Sequence, residues 1–278
     1  MKENLLGGFF MSLDAPIGVF DSGVGGLTVA RELMRQMPQE QIIYFGDTAR
    51  VPYGSKSKET VISFSRQITK FLLTKDVKAI VIACNTASSF ALETIRNELS
   101  IPVIGVIRPG AVAAAQATQN GRIGVIATQG TINSGIYTRT LTEMNSELQV
   151  FEKACPLFVP LVEEGWLYDS VTIEIAERYL NELQGYDVDS LVLGCTHYPL
   201  LSHTIQKVMG PDVTLVNPAF ETAKYTKDVL LKNGLECSTQ MPNHKFYVSD
   251  GAEKFKSFAN TILPCEVEEA KGIDIEQY

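Results

Sequence analysis

The chain has 278 residues, of which 45% are hydrophobic and 20% are charged, and its formal net charge at pH 7 is −8. This composition is typical of a soluble globular protein with room for two lobes, each able to bury a core. The acidic balance argues against a nucleic-acid surface or an anionic membrane surface, because phosphate groups select for excess lysine and arginine, but it leaves open a small anionic substrate.

Residues 1–15 are predicted to be a poorly ordered leader ahead of the folded chain. Their apolar patch at residues 5–10 has one basic residue before it and no convincing cleavage site, so a signal peptide is not expected. No apolar run reaches the ~18 residues that would indicate a membrane span.

Strands alternate with helices through the first part of the chain. The predicted strands are residues 17–20, 41–45, 77–84 and 102–106, and the predicted helices are residues 27–37, 59–73 and 87–99. This alternation predicts a parallel sheet that is covered by helices on both faces.

The second part of the chain repeats this order. Its predicted strands are residues 121–127, 149–153, 188–195 and 213–216, and its predicted helices are residues 134–144, 171–183 and 199–209. Gly124 lies 106 residues after Gly18, and Cys195 lies 111 residues after Cys84, as an old duplication with small insertions would leave them.

The predicted fold is therefore α/β, with two pseudo-symmetric three-layer lobes, each a mostly parallel sheet flanked by helices, and the active site between them. The tail after residue 217 has no counterpart, and its helices (219–231 and 252–263) and strand (246–248) are expected to pack on the first lobe. We predict a discontinuous first lobe of residues 16–108 plus 217–278 and a second lobe of residues 109–216.

Two cysteines end corresponding strands in the two lobes. Cys84 is followed by Asn85-Thr86, and Cys195 is followed by Thr196-His197. A single cysteine at the end of an apolar strand is often buried and inert, but two in mirrored positions favour a function. Each precedes a predicted helix start, which is expected to lower the pKa of the thiol and to offer free N–H groups to an anion. Two such thiols across a cleft could remove a proton from one face of a carbon and return one to the other.

The other cysteines give no sign of a disulfide framework or a metal site. The total of five is odd and includes no Cys-x-x-Cys pair, which is typical of reduced thiols in a cytoplasmic protein. With three histidines in the chain, a metal site is not predicted. His197 could be a structural histidine or a proton-handling partner of Cys195, and we favour the second.

Ligands of open parallel α/β sheets bind outside the carboxyl ends of the strands. Further suggestive residues follow those ends: Asp21, Ser22, Tyr53, Gly54, Asn85, Thr86, the loop at residues 128–131, Thr196 and His197. Asp21 could fix its glycine-rich turn or direct a carboxylate at the first thiol or a substrate ammonium, and we favour the second. The roles of Asp47 and Glu163 stay open.

Three stretches resemble the signature motifs of the glutamate racemases: residues 20–28 (Phe-Asp-Ser-Gly-Val-Gly-Gly-Leu-Thr), 83–88 (Ala-Cys-Asn-Thr-Ala-Ser) and 194–199 (Gly-Cys-Thr-His-Tyr-Pro). Residues 46–48, 51–54 and 156–164 are similar to the family as well, and the resemblance covers roughly residues 16–265. It implies a cofactor-independent enzyme that interconverts L- and D-glutamate in the cytoplasm and supplies D-glutamate for peptidoglycan, and hence for cell wall biogenesis and cell shape.

The resemblance also assigns roles. It implies that Cys84 is the acid/base thiol for D-glutamate and Cys195 that for L-glutamate, with assistance from Asp21 and His197, respectively. The residues it implies in glutamate binding are Asp21, Ser22, Tyr53, Gly54, Asn85, Thr86, Thr196 and His197. A homodimer is expected, and neither nucleic acid nor membrane is an expected partner.

Three alternatives remain at this point. The chain could be another racemase of the same superfamily, acting on a different amino acid such as aspartate or on a hydantoin. It could be a two-lobed binding protein without catalysis, which would need a cleft but no matched thiols. Covalent thiol catalysis would need one cysteine with its own base and oxyanion hole, which fits two equivalent thiols less well.

Overall fold

A computed structural model describes residues 3–6, 9–237 and 241–278. Its strands are β1 Glu3–Leu6, β2 Phe9–Ser12, β3 Ile17–Asp21, β4 Ile42–Gly46, β5 Ala79–Ile82, β6 Val103–Gly105, β7 Arg122–Ala127, β8 Gln149–Ala154, β9 Ser190–Gly194, β10 Thr214–Val216, β11 Lys245–Val248 and β12 Ala270–Gly272. Its helices are α1 Leu27–Gln36, α2 Lys58–Leu73, α3 Asn85–Glu98, α4 Ile107–Ala117, α5 Gln129–Ser134, α6 Ile136–Met144, α7 Phe158–Glu163, α8 Ser170–Gln184, α9 Ser202–Met209, α10 Pro218–Lys232 and α11 Ala252–Ile262.

Two parallel sheets form the centres of two lobes. The first has the order β12-β11-β4-β3-β5-β6 and the second has the order β10-β9-β7-β8. The run β4-β3-β5-β6 corresponds strand for strand to β8-β7-β9-β10, so the predicted repeat is present in the strand order. The predicted α/β fold with two lobes is confirmed, and the symmetry extends over four strands of each sheet.

The central strands are buried on both faces, as parallel strands between helix layers must be. In β5, Ala79 and Val81 join the hydrophobic cluster on one face, whereas Ile80 and Ile82 join the cluster on the other. Both faces of the sheet are therefore covered, and the ends of its strands are the places where polar side chains can gather.

The segment after residue 217 extends the first sheet through β11, which pairs with β4, and β12, which pairs with β11. The lobe boundaries at residues 108 and 216 stay a prediction. In the leader, β1 and β2 pair antiparallel, whereas residues 1–2 and 7–8 lie outside the described residues, so its expected poor order also stays a prediction.

Several local predictions were wrong. Helix α4 was not predicted, because Pro109-Gly110 is typical of a turn; Pro109 instead lies in the first turn, where its missing N–H costs nothing. The helix predicted at residues 134–144 is interrupted at Gly135, which has a φ of 60°. The helix predicted from residue 199 is a 3-10 turn, Tyr198–Leu201, followed by α9.

No helix within the described ranges is long and apolar enough to cross a membrane.

Candidate active site

A pocket lies between the lobes at the carboxyl ends of both sheets. Its lining residues are Ser22, Val51, Pro52, Tyr53, Gly54, Cys84, Asn85, Thr86, Thr128, Val159, Glu163, Cys195, Thr196 and His197. The thiols of Cys84 and Cys195 are therefore on the wall of the same pocket, although they belong to different sheets. Both residues are 6% exposed, so they are largely screened from bulk water.

Cys84 is the N-cap residue of α3, and its Sγ accepts a hydrogen bond from the backbone N–H of Ala87 at 3.4 Å. Its thiol also contacts the hydroxyl of Ser22 at 3.7 Å. Burial raises the pKa of this thiol to about 12, and the carboxylate of Asp21 adds to the increase, whereas the Ala87 N–H opposes it. The predicted lowering of the thiol pKa by the helix start is therefore wrong for Cys84, because desolvation outweighs it.

The environment of Cys195 is different. The residue is not at a helix start, because the 3-10 turn begins three residues later at Tyr198. Its Sγ lies 3.8 Å from Nδ1 of His197, and Nε2 of the same ring lies 3.1 Å from Oε1 of Glu163. The second thiol is thus the end of a chain of three side chains, from Glu163 through His197 to Cys195.

The charge state of His197 follows from these contacts. Burial alone would lower the pKa of the ring, but the hydrogen bonds to Cys195 and Glu163 together outweigh it and raise the pKa to about 10. The hydrogen bond from His197 in turn lowers the pKa of Glu163 against the opposing effect of burial. The pair is therefore an imidazolium and a carboxylate at neutral pH, with the cation beside the second thiol.

Asp21 lies behind the pocket wall and is fully buried. Its carboxylate accepts hydrogen bonds from the backbone N–H of Gly23 at 3.0 Å and from the hydroxyl of Thr196 at 3.4 Å. Burial raises the pKa of Asp21, and the positive charge of His197 opposes this increase. Asp21 thus links the loop after β3 in one lobe to the second cysteine loop in the other.

The glycine-rich loop after β3 lets the lobes approach closely. A Cβ added to Gly25 would lie within 2.5 Å of Nδ1 of His197 and closer still to Oγ1 of Thr196. Real Cβ atoms essentially never come this close to other heavy atoms, so a larger residue would have to displace the side chains of Thr196 and His197.

A group of three threonine hydroxyls forms a second bridge between the lobes. Oγ1 of Thr86 lies 2.9 Å from Oγ1 of Thr128 and 3.3 Å from Oγ1 of Thr131, which are themselves 3.1 Å apart. In the same region the hydroxyl of Tyr137 donates to Oδ1 of Asn85 at 2.8 Å. These contacts hold Asn85 and Thr86 of the first lobe against the second lobe.

Among the described residues that line the pocket, His197 is the cationic side chain, and the others that carry donors are hydroxyl, amide and backbone groups. An anionic ligand would therefore be held mainly by neutral donors and by the N-terminus of α3. Such sites bind carboxylates through oriented dipoles.

Residues 18–226 match the Asp/Glu/Hydantoin racemase family. The chain is 49% identical to the glutamate racemase of Geobacter metallireducens over 94% of this chain and 97% of that protein. It is also 49% identical to the glutamate racemase of Oceanobacillus iheyensis over 90% of this chain and 92% of that protein. The chain belongs to the glutamate racemases.

Solved structures of other glutamate racemases share the fold closely. The isoform RacE1 from Bacillus anthracis has a TM-score of 0.92 at 42% identity and covers 95% of this chain and 98% of its own. The enzyme from Francisella tularensis, solved in complex with D-glutamate, has a TM-score of 0.90 at 39% identity and covers 96% of this chain and 100% of its own. An aspartate racemase from Picrophilus torridus, at 17% identity and a TM-score of 0.55, shares the fold alone.

Within this glutamate racemase, the pocket brings together every site residue that the sequence analysis named except Asp21, which lies behind the wall. Sequence reasoning left Glu163 without a role, and the structure places its carboxylate on His197. Thr128 also lines the pocket and was named within its loop, whereas Val159 was not named. The one available signal for Glu163 was its position in a stretch similar to the family at residues 156–164.

Proposed function

We propose that this chain interconverts L-glutamate and D-glutamate without a cofactor, using the thiols of Cys84 and Cys195. The observation that carries the proposal is that both thiols line one pocket from opposite lobes. Inversion of a stereocentre by proton transfer requires an acid/base group on each face of the carbon. Membership of the glutamate racemases supports glutamate as the substrate.

In the proposed reaction, the thiolate of Cys84 removes the α-proton of D-glutamate while the thiol of Cys195 gives a proton to the opposite face. The roles reverse for L-glutamate. The assignment of each thiol to an enantiomer follows the family pattern. The proton on the product comes from the enzyme, and each sulfur must then re-equilibrate with solvent before the next turnover.

Each thiol has to be deprotonated in the direction of the reaction in which it acts as the base. A pKa of about 12 for Cys84 disfavours its thiolate at neutral pH, but a substrate ammonium bound near Asp21 would offset the burial and the negative charge that cause it. On the other wall, the imidazolium of His197 lies 3.8 Å from the sulfur of Cys195, where it could exchange a proton with that thiol.

Acid/base groups alone do not account for the reaction, since each contributes typically 10²- to 10⁴-fold and the α-proton of an amino acid is very weakly acidic. Preorganised donors at the α-carboxylate, where negative charge develops, would supply much of the rest. Ser22, Asn85, Thr86 and Thr196 line the pocket and are the donors that we expect to do this, and closure of the lobes on the substrate would exclude water.

The decisive experiment is a circular dichroism assay of each enantiomer of glutamate and aspartate, without pyridoxal phosphate and with chelator present. The proposal expects racemisation of glutamate in both directions and little or none of aspartate. Loss of activity on adding chelator, or a preference for aspartate, would contradict it.

We further propose the location, metabolic role and oligomeric state that membership of the family implies. The enzyme would act in the cytoplasm and supply D-glutamate for peptidoglycan, neither nucleic acid nor membrane would be a partner, and the chain would form a homodimer. Free rather than paired cysteines among the described residues are compatible with a reducing compartment.

Glu163→Gln is expected to move the alkaline limb of kcat/KM to lower pH by about one unit or more, because the carboxylate helps to raise the pKa of His197 to about 10. Without that charge, the lowering of the His197 pKa by burial is opposed less strongly, so the imidazolium is lost earlier as the pH rises. The same raised pKa means that His197 stabilises the parent fold fully below its unfolded pKa of about 6.5 and progressively less toward pH 10.

The measurement is the pH dependence of kcat/KM for parent and variant between pH 6 and pH 10. The neighbouring exposed Glu164 offers a matched control, since Glu164→Gln leaves the His197 contact intact. A Glu163→Gln profile that overlays the parent profile would show that the carboxylate does not act through His197.

A further inference from the structure

We infer that Arg50 and Asp47 are positioning residues that hold the pocket loop at residues 51–54 in its binding conformation through the hydroxyl of Tyr53. The inference rests on the proposed function, because it assigns Tyr53 and Gly54 to glutamate binding. Neither Arg50 nor Asp47 lines the pocket, so both would act through the loop.

An almost fully buried ion pair is the centre of this arrangement. Nε of Arg50 lies 3.0 Å from Oδ1 and 2.8 Å from Oδ2 of Asp47, whose side chain is 0% exposed against 13% for that of Arg50. The hydroxyl of Tyr53 donates to Oδ2 of the same carboxylate. The carboxylate thus connects the arginine to the first residue of the loop's 3-10 turn, Tyr53–Ser55.

Helix α2 fixes the arginine from the other side. Nη1 of Arg50 donates to Oε1 of Gln67 at 2.5 Å, and the guanidinium carbon lies 3.9 Å from the ring centre of Phe64. The Phe64 ring is in turn 5.6 Å from the ring of Tyr53. A planar cation that is hydrogen-bonded at two edges and stacked on an aromatic face is held in one orientation, which lysine could not reproduce.

The same cluster is connected directly to the site. The backbone N–H of Asp47 donates to the carbonyl of Asp21 at 3.0 Å. At the other end of the loop, a Cβ added to Gly54 would lie 2.7 Å from Cβ of Thr128 in the second lobe. The loop is therefore fitted between two lobes with little space, and a small displacement of Tyr53 would change the pocket itself.

A positioning role predicts a particular kinetic pattern. Donors on the loop are expected to stabilise the bound substrate and the transition state about equally. Loosening the loop should therefore raise KM more than it lowers kcat. An acid/base role of Asp47 would instead lower kcat and alter proton exchange with one enantiomer. The two roles can therefore be separated by experiment.

The test uses Arg50→Ala in the full chain. We expect KM for both enantiomers, and the Kd of D-glutamate measured by calorimetry, to rise about tenfold or more, which is the effect of losing a hydrogen-bonded charged partner. Added guanidinium ion should restore KM toward the parent value by filling the vacated space between Asp47 and the Phe64 ring. The control is Arg66→Ala, which breaks an exposed ion pair with Glu98 and should change neither constant.

A second variant covers the possibility that Arg50→Ala does not fold. Tyr53→Phe keeps the ring and the ion pair and removes the one hydroxyl that joins them, so it too should raise KM and Kd several-fold. Parent values of KM and Kd in both variants, or a fall in kcat at constant KM, would overturn the inference. If the parent chain binds D-glutamate but does not racemise it, the proposed function is wrong. The inference about the loop can still be tested in that case, because calorimetry still gives the Kd of D-glutamate for parent and variants.

Discussion

Cys84→Ala should lower racemisation of glutamate by at least about 10³-fold while the variant still exchanges the α-proton of L-glutamate with solvent. The remaining thiol, Cys195, can remove and return a proton on its own face of the carbon, but the opposite face then has no donor. Cys195→Ala should show the complementary behaviour, with loss of racemisation and exchange confined to D-glutamate. Each single variant thus separates proton removal from inversion.

The measurement combines circular dichroism for racemisation with NMR in deuterium oxide for α-proton loss, each enantiomer being tested alone. Cys265→Ala is the matched control, because that thiol is half-buried and lies outside the pocket. If either active-site variant racemises at the parent rate, the two-thiol mechanism is wrong. Exchange of both enantiomers by a single-thiol variant would contradict the assignment of one thiol to each face.

A racemase imposes a constraint on how such variants are compared. The two enantiomers have equal free energies in water, so kcat/KM must be equal in the two directions for the parent and for every variant. Differences between the two thiols therefore cannot appear in that ratio. They appear in kcat and KM separately, and in the exchange experiment.

Gly25→Ala is expected to lower kcat/KM by about 10²-fold or more without unfolding the chain. The added methyl group would overlap the side chains of Thr196 and His197, so these side chains or the loop that carries them would have to move. A displacement of about 1 Å moves one thiol out of line with the carbon that both must reach. The substitution should therefore raise the free energy of the transition state more than it destabilises the core of either lobe.

Racemisation assays with thermal unfolding followed by far-ultraviolet circular dichroism would separate these effects. Gly185→Ala is the matched control, because Gly185 has a φ of −64° and its added Cβ would meet only the carbonyl of Glu182, at 3.4 Å. Parent kcat/KM in a folded Gly25→Ala variant would show that the close approach of the two loops is not needed for turnover.

The repeat in the sequence predicted the two lobes because apolar strand patterns and turn residues are local signals. Once the strands are parallel, topology alone brings their carboxyl ends together, and this is why Cys84 and Cys195 could be placed in one pocket from spacing. Helix α4 escaped prediction because Pro109-Gly110 has the same local composition in a turn and in a first helical turn.

The electrostatics of the site could not be predicted in the same way. The sign of the pKa shift at Cys84 depends on how deeply the thiol is buried and on the nearby charge of Asp21, which spacing does not encode. Glu163 reaches His197 only because α7 packs beside the second cysteine loop. Contacts between residues far apart in sequence, and the dielectric around them, are set by the assembled lobes.

The repeated strands carry unlike neighbours for their two sulfurs: a carboxylate near Cys84 and an imidazolium beside Cys195. The two cysteines therefore occupy matching positions in the strand order but lie beside groups of opposite charge. One consequence is that the enzyme should saturate at different concentrations of its two mirror-image substrates. Its maximal rates with them should differ by the same factor.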